Sequence, residues 1–324
     1  MTQTMLPFEE PLAALRSQVA SLRALSAEEP EWNAPLAELE ARLDALTHEV
    51  YGALSAWEKV LLCRHPQRPT TMDYIAGLFD EFIELHGDRA FADDRAIVTG
   101  LGRFGGRSIV VAGHRKGRNA RENAERHFGM AHPEGYRKAA RLFDLADRFC
   151  LPILTLIDTP GAYPGIGAEE RGQSEAIAEC IATLTRVRVP VVCVIVGEGG
   201  SGGALALALA NRVLMQTYAT YSVISPEGCA SILWRNAKLA PRAAEQLRLT
   251  APELVRLGIV DGIVDETISG AHIERARALQ LLREAIENAL GALADISDLR
   301  AHRYGRFRAL GAFSTRVPSS AVQK

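Results

Sequence analysis

The sequence predicts an α/β protein whose strands are joined by βα crossovers, with a helical extension in front. Three observations carry that expectation. From residue 96 onward, short β-branched runs alternate with helical stretches. Two of these runs end in glycine-rich turns, 158–167 and 197–204, and each turn leads into a helix. Over roughly the first 70 residues, apolar positions instead recur at steps of three and four.

Taken in order, Leu12, Leu15, Val19, Leu22 and Leu25 form one helical stripe. Leu36, Leu39, Leu43, Leu46, Val50, Ala53 and Trp57 form a longer one. The polar stretch 26–35, with Pro30 and Pro35, separates them, so 1–70 reads as a helical hairpin. Its apolar seam suits its own domain and a partner subunit equally. Residues 64–71, Arg-His-Pro-Gln-Arg-Pro-Thr-Thr, break the pattern and read as a linker. Segments 96–101 and 108–112 read as a hairpin turning through 102–106. A helix over 134–148, a strand over 151–157 and a long helix over 168–186 follow. The run 191–196, Val-Val-Cys-Val-Ile-Val, is a buried strand. The run 204–210, Ala and Leu only, is a buried helix. Short strands are expected at 212–215, 221–224 and 262–264, helices over 227–258 and 271–293, and fraying after Gly311. Residues 71–311 then make one main domain, and 312–324 a disordered tail.

Composition narrows the function classes. A net charge of −2 offers no nucleic-acid or membrane surface, and no apolar run approaches the length of a membrane span. The first ten residues lack the basic start and apolar core of a signal peptide, so a cytoplasmic location is expected. Cys63, Cys150, Cys180, Cys193 and Cys229 are widely separated and form no CxxC pair. They read as buried, reduced thiols, and no metal site is expected.

The chemistry is expected at the two glycine-rich turns. Glycines at a strand-to-helix turn let the backbone approach a ligand, and the first N–H groups of the helix lack partners. Such donors hold a phosphate, a carboxylate or a developing enolate. Two turns on the same ends of neighbouring parallel strands would face one crevice, although glycines of this kind also serve tight packing alone. Competing motifs fit poorly. No lysine follows the glycines, which speaks against a P-loop. Residues 197–202 match GxGxxG in spelling only, far from a first strand. Gly199-Gly200-Ser201-Gly202-Gly203 matches GxSxG, for which His272 and His302 are the late histidines available. The basic stretch 114–121 reads first as a solvated loop and second as an anion site. Ser225 and Pro226 read as a helix start. Asp158, Glu169, Glu170 and Glu198 lie near the turns, and nothing singles one out as a general base.

Longer stretches carry a resemblance: 64–69, 128–130 with 133–138, 157–165, 168–177, 197–204 and 221–234. On these the chain resembles the carboxyltransferase alpha-subunit family of bacterial multi-subunit acetyl-CoA carboxylases, over nearly all its length to about residue 310. The resemblance implies a ClpP/crotonase-type fold of ββα units, with the N-terminal helices docking on a beta subunit. It implies carboxyl transfer from carboxybiotin, borne on the biotin carboxyl carrier protein, to acetyl-CoA, giving malonyl-CoA for fatty-acid synthesis. It further implies an α2β2 assembly in which the beta subunit carries a zinc ribbon and most of the CoA contacts. ATP would be used only by the biotin carboxylase subunit. By the same resemblance, the N–H groups of Gly202 and Gly203 form the oxyanion hole for the biotin enolate. Gly199, Gly200, Gly161 and Ala162 line the substrate. Two other readings stay open: a stand-alone crotonase-fold hydratase, decarboxylase or thioesterase acting on acyl-CoA, and a non-catalytic helical scaffold.

Overall fold

A computed structural model describes residues 5–311, so the tail expected at 312–324 lies outside the described residues. The helical hairpin is present as α1 (Glu10–Ser26) and α2 (Asn33–Gly52), which pack on each other. Leu12, Leu15 and Val19 are buried, Leu36, Leu39, Leu43, Leu46 and Val50 half-buried, and Leu25 exposed. The seam does not reach Trp57. α2 ends at Gly52, and α3 (Ala56–Cys63) starts afresh from a capping box. In that box the Glu58 N–H donates to Ser55 Oγ, and the Glu58 carboxylate accepts the Ser55 N–H.

The expected linker is instead part of the packed interior. His65, Arg68 and Pro69 are buried, and Arg68 pairs with the fully buried Glu266 at 2.7 Å. A cation taken out of water requires such a partner. Prolines and cations look the same in a solvated loop and in a charge-paired one, which is why residue type alone points to a linker here. Thr70 then caps α4 (Thr71–Leu78), through a second capping box with Asp73.

The sheet begins with β1 (Glu81–Glu84), β2 (Ile97–Phe104) and β3 (Arg107–His114), with β1–β2 and β2–β3 both antiparallel. The β2–β3 hairpin matches the expectation. β1 is an addition to it, because a short, half-exposed edge strand spelled Glu-Phe-Ile-Glu carries almost no apolar signal. After α5 (Ala120–Glu125) and α6 (Pro133–Arg148), the chain enters β4 (Ile153–Thr159). From there it runs through α7 (Ile166–Glu170), α8 (Gln173–Arg186), β5 (Val191–Gly200), α9 (Ser201–Ala208), β6 (Arg212–Gln216) and β7 (Thr220–Ser222). The expected helix over 168–186 is broken at Gly172, which sits in the left-handed region (φ +78°) and separates α7 from α8. The helical stretch 227–258 is three short helices, α10 (Pro226–Trp234), α11 (Ala240–Leu247) and α12 (Ala251–Arg256). β8 (Gly262–Val264), α13 (Arg275–Ala292) and α14 (Leu299–Arg308) complete the chain. α13 starts four residues later than the apolar pattern implies.

The strand order is β1-β2-β3-β4-β5-β6-β8, with β7 paired to the far end of β5. From β3 to β8 the pairs are parallel. Both faces are covered, which explains the unbroken apolar run of β5. Val191, Cys193 and Ile195 join the core that includes residues of α6, α8 and α9. Val192, Val194 and Val196 join the core that includes residues of α4 and α13. Four cysteines are buried as expected. Cys150 is exposed, in the left-handed turn (φ +54°) between α6 and β4. Among the described residues no helix is long and apolar enough to cross a membrane.

Candidate functional site

β4 and β5 run side by side in parallel, with Ile157 opposite Ile195 and a shift of register between Ile157 and Thr159. Their C-terminal ends therefore lie together, as the crevice argument requires. The two glycine segments leave the sheet differently. Residues 197–200 do not turn. They extend β5 and pair with β7, Glu198 opposite Thr220 and Gly200 opposite Ser222. The reversal falls on Ser201, a non-glycine residue at φ +51°, and α9 starts there. Gly202 and Gly203 thus occupy the first turn of α9, where backbone N–H groups have no helical acceptor.

The other segment sits directly against this turn. A Cβ on Gly203 would lie 2.5 Å from the Ala162 nitrogen and 2.6 Å from the Gly161 carbonyl carbon. On Gly200 it would lie 2.0 Å from the Pro160 oxygen. Gly200 and Gly203 are glycines because backbone fills the place of a side chain, whereas at Gly202 nothing lies nearer than 3.9 Å. The structure therefore brings Gly199, Gly200, Gly202 and Gly203 together with Gly161 and Ala162. Gly161 is not a spare donor, because its N–H is accepted by Thr159 Oγ1 at 3.1 Å, and the same hydroxyl donates to its carbonyl. Beneath Gly203 the Tyr136 hydroxyl is buried without a hydrogen-bond partner, and burial pushes its ionisation upward.

Ser201 has the backbone of a nucleophile elbow but not its chemistry. No base hydrogen-bonds to it among the described residues. His272 faces Glu9 at 3.1 Å, and His302 is engaged with Asn211. A serine without an adjacent base is a weak nucleophile.

The side chains that matter near the turns form an ion-pair network that the sequence does not announce. Lys116 Nζ lies 2.7 Å from Asp158 Oδ1 and 2.9 Å from Glu198 Oε2. Arg64 Nε holds the other Glu198 oxygen at 2.7 Å and its Nη1 holds Glu227 at 2.5 Å. Burial opposes charge on Glu198, but Lys116 and Arg64 outweigh it and hold the carboxyl at about 2. Glu198 is therefore a paired anion and unsuited to general-base work near neutral pH. The stretch 114–121 is accordingly less solvated than expected. Lys116 is an internal clamp, and His114 is fully buried. Burial pushes the His114 imidazole down to about 3 despite the Gly203 and Leu156 backbone groups near it. The sequence clues are the motif 64–69 and the basic stretch itself, but no spacing rule joins positions so far apart. Ser225 does cap α10, accepting the Gly228 N–H at 3.1 Å.

A protein-family model described as "Acetyl co-enzyme A carboxylase carboxyltransferase-like" matches residues 5–311. The chain is 54% identical over 315 residues to an acetyl-coenzyme A carboxylase carboxyl transferase subunit alpha of Sorangium cellulosum, covering 97% of this chain and 99% of that one. It is 55% identical over 312 residues to a protein of the same name from Thermus thermophilus, covering 95% and 99%. Among solved structures it is similar to transcarboxylase 12S, with a TM-score of 0.56 and 22% identity over 68% of this chain and 41% of that one. It is also similar to a chain of a Pseudomonas malonate decarboxylase hetero-tetramer, with a TM-score of 0.55 and 18% identity over 66% and 86%. The structural likenesses bear out the crotonase-type α/β fold. With a match along its whole described length and relatives above half identity end to end, the chain belongs to the family of acetyl-CoA carboxylase carboxyltransferase alpha subunits.

Proposed function

We propose that this chain forms the biotin side of a two-chain carboxyltransferase that moves the carboxyl group of carboxybiotin to acetyl-CoA and yields malonyl-CoA. The observation that carries the reading is the junction of α9 with residues 160–162. It offers backbone donors in the first turn of a helix, and among the described residues the carboxylates beside it, Asp158 and Glu198, are engaged by Lys116 rather than poised as bases. Carboxybiotin supplies the carboxyl group and, once that is released, a basic ureido nitrogen for the acetyl methyl proton. The task left to this chain is to bind and to stabilise negative charge. The N–H groups of Gly202 and Gly203 would hold the ureido oxygen as charge develops on it, and fixed backbone dipoles do this without reorganising. Gly199, Gly200, Gly161 and Ala162 would shape the wall around it. The recess beside them, lined by Pro160, Glu198, Gly199, Gly200, Ser222 and Ile224, has a volume of only about 30 Å³. That is room for a water molecule rather than for an acyl-CoA, which supports a site completed by another chain.

On this reading the other chain is a zinc-ribbon beta subunit in an α2β2 assembly, with the helical hairpin helping to dock it. The biotin carboxyl carrier protein delivers carboxybiotin, and biotin carboxylase uses the ATP. The test is reconstitution: malonyl-CoA formation from acetyl-CoA and carboxylated carrier, measured with this chain alone and with a beta subunit. Activity only in the mixture is expected. Acyl-CoA turnover by the chain alone would favour the stand-alone crotonase reading, and an inactive but stable complex would favour the scaffold reading.

A further inference from the structure

Glu9, His65 and His272 come from the start of the chain, the segment after α3 and the segment before α13, and they meet outside the glycine-turn site. Each is at least nine-tenths buried, with relative exposures of 3%, 3% and 6%. One ligand atom from each lies within 4.8 Å of the other two. Glu9 Oε1 and His272 Nε2 are 3.1 Å apart, and the two imidazole rings lie 4.6 Å apart between centroids.

We propose that Glu9, His65 and His272 form a binding site for a divalent transition metal of the zinc type, which ties the N-terminal helix to the main domain. Two imidazoles and one carboxylate are a donor set that zinc accepts, with a fourth position left for water. The water has a place: Glu9 and His272 line a cavity of about 360 Å³ together with Met5, Arg16, Ser17 and Gln67. The carboxylate is already oriented. Tyr51 donates its hydroxyl to Oε1 at 2.6 Å, and the Leu6 N–H donates to Oε2 at 2.9 Å. Hydrogen bonds of this kind fix a ligating carboxylate in known metal sites. His272 Nδ1 is buried without a hydrogen-bond partner, so the cluster is not a fully satisfied hydrogen-bond network.

Binding requires modest movement. Ligands about 2.1 Å from zinc in a tetrahedron are about 3.4 Å apart, a separation the Glu9–His272 pair comes close to already. His65 changes its contact with Gln67. Its Nδ1 accepts the Gln67 N–H at 3.2 Å, and either the metal takes that lone pair or the ring moves its proton there. The thiols play no part in the site.

The test uses the full chain, purified alone, stripped with chelator and then titrated with zinc and with cobalt. The expected result is one zinc per chain and a cobalt complex whose visible d–d bands lack thiolate charge-transfer absorption. Glu9→Gln, His65→Ala and His272→Gln should each weaken binding more than about tenfold. No retained zinc, a thiolate band, or folded variants with unchanged affinity would overturn the proposal. Should the variants fail to fold, the cobalt spectrum of the unmodified chain still decides.

Discussion

The backbone N–H of Glu198 donates to Oδ1 of Asp158 at 3.0 Å, joining the two glycine segments through a single carboxylate. The same oxygen holds Lys116 at 2.7 Å. Asp158 lies next to the end of β4, which the other segment must lie beside, so the spacing of the crevice is set by this contact as well as by the glycines. Lys116 keeps two carboxylates, Asp158 and Glu198, close together without repulsion. Lys116→Met should leave that repulsion countered only by Arg64. It should cost about 2 kcal/mol or more in urea denaturation, and carboxyl transfer should fall mainly in kcat because the donors are displaced. Lys116→Arg should restore most of the stability. Unchanged stability and kcat in Lys116→Met would remove the clamp from the account.

Gly202 and Gly203 should respond differently to one added methyl group. At Gly203 the new Cβ meets backbone atoms at 2.5 and 2.6 Å and the Tyr136 hydroxyl at 2.9 Å, none of which can step aside cheaply. Gly203→Ala should push the 160–162 segment away and reduce kcat by about a hundredfold, the scale of a lost oxyanion donor. At Gly202 the nearest atom is Ile177 Cγ2 at 3.9 Å, so Gly202→Ala should fold with stability within about 1 kcal/mol of the parent. Parallel denaturation curves and reconstituted transfer assays separate the two. Equal behaviour of the two variants would mean that packing between the segments does not govern the site.

Much of the architecture is legible because its signals are local. The β5 run, the α9 alanine–leucine repeat and the β2–β3 hairpin each satisfy one periodicity over a short window. The glycines announce a close approach, and Gly200 and Gly203 show one. What is not legible depends on pairs distant in sequence. Arg64, Lys116 and Glu198 look like solvated charges until folding places them within hydrogen-bond reach, and Arg68 looks like part of a linker until Glu266 buries it. The left-handed backbone of Ser201 is equally hidden, because residue type does not separate a left-handed serine from a helical one. The extension of β5 to Gly200 is masked by the low strand propensity of glycine, which β7 overrides by pairing.

Acid should destabilise the chain in two pH windows. The neutral His114 ring is held at about 3 in the fold against an ordinary 6.5, so between these values the unfolded chain binds the extra proton. Stability contributed by keeping that ring neutral is complete above pH 6.5 and lost as pH falls. Glu198 and Glu9 ionise at about 2 against 4.5, so their contributions are complete above pH 4.5 and lost as pH falls toward 2. Each group adds a slope of about 1.4 kcal/mol per pH unit within its window. Urea midpoints measured from pH 7 to pH 3.5 should decline below 6.5 and more steeply below 4.5. His114→Gln should shrink the first decline to the part left by His132, whose imidazole burial also pushes down, and keep the second; an unchanged first decline would exclude His114 as a source.

Thiol chemistry offers a direct check on burial. Burial pushes the Cys63 thiol up to about 11 and Cys193 up to about 12, whereas Cys150 is exposed. The thiolate is the reactive form, so only an exposed thiol should react quickly near neutral pH. A disulfide reagent added to the native chain should modify one cysteine fast and four only on denaturation, and Cys150→Ser should remove the fast phase. Two or more fast thiols in the native chain would contradict the buried placement of the others.

Arg303 anchors α14 to the main domain without an ion pair to any carboxylate among the described residues. Its side chain is 1% exposed, and the guanidinium donates to the Val187 carbonyl, to Asn211 Oδ1 at 2.5 Å and to the Val189 carbonyl at 3.4 Å. Burial pulls its ionisation down to about 10, still far above neutral pH, so the group stays charged and relies on these acceptors. Arg303→Met keeps much of the volume but takes the guanidinium donor from the Val187 and Val189 carbonyls, each loss costing about 1–3 kcal/mol, while Asn211 Oδ1 still accepts the Val191 N–H. The variant should lose about 2 kcal/mol or more in denaturation, with hydrogen exchange accelerated in α14 first. Exchange unchanged in α14 would mean that the helix is held by its apolar contacts and not by the buried guanidinium.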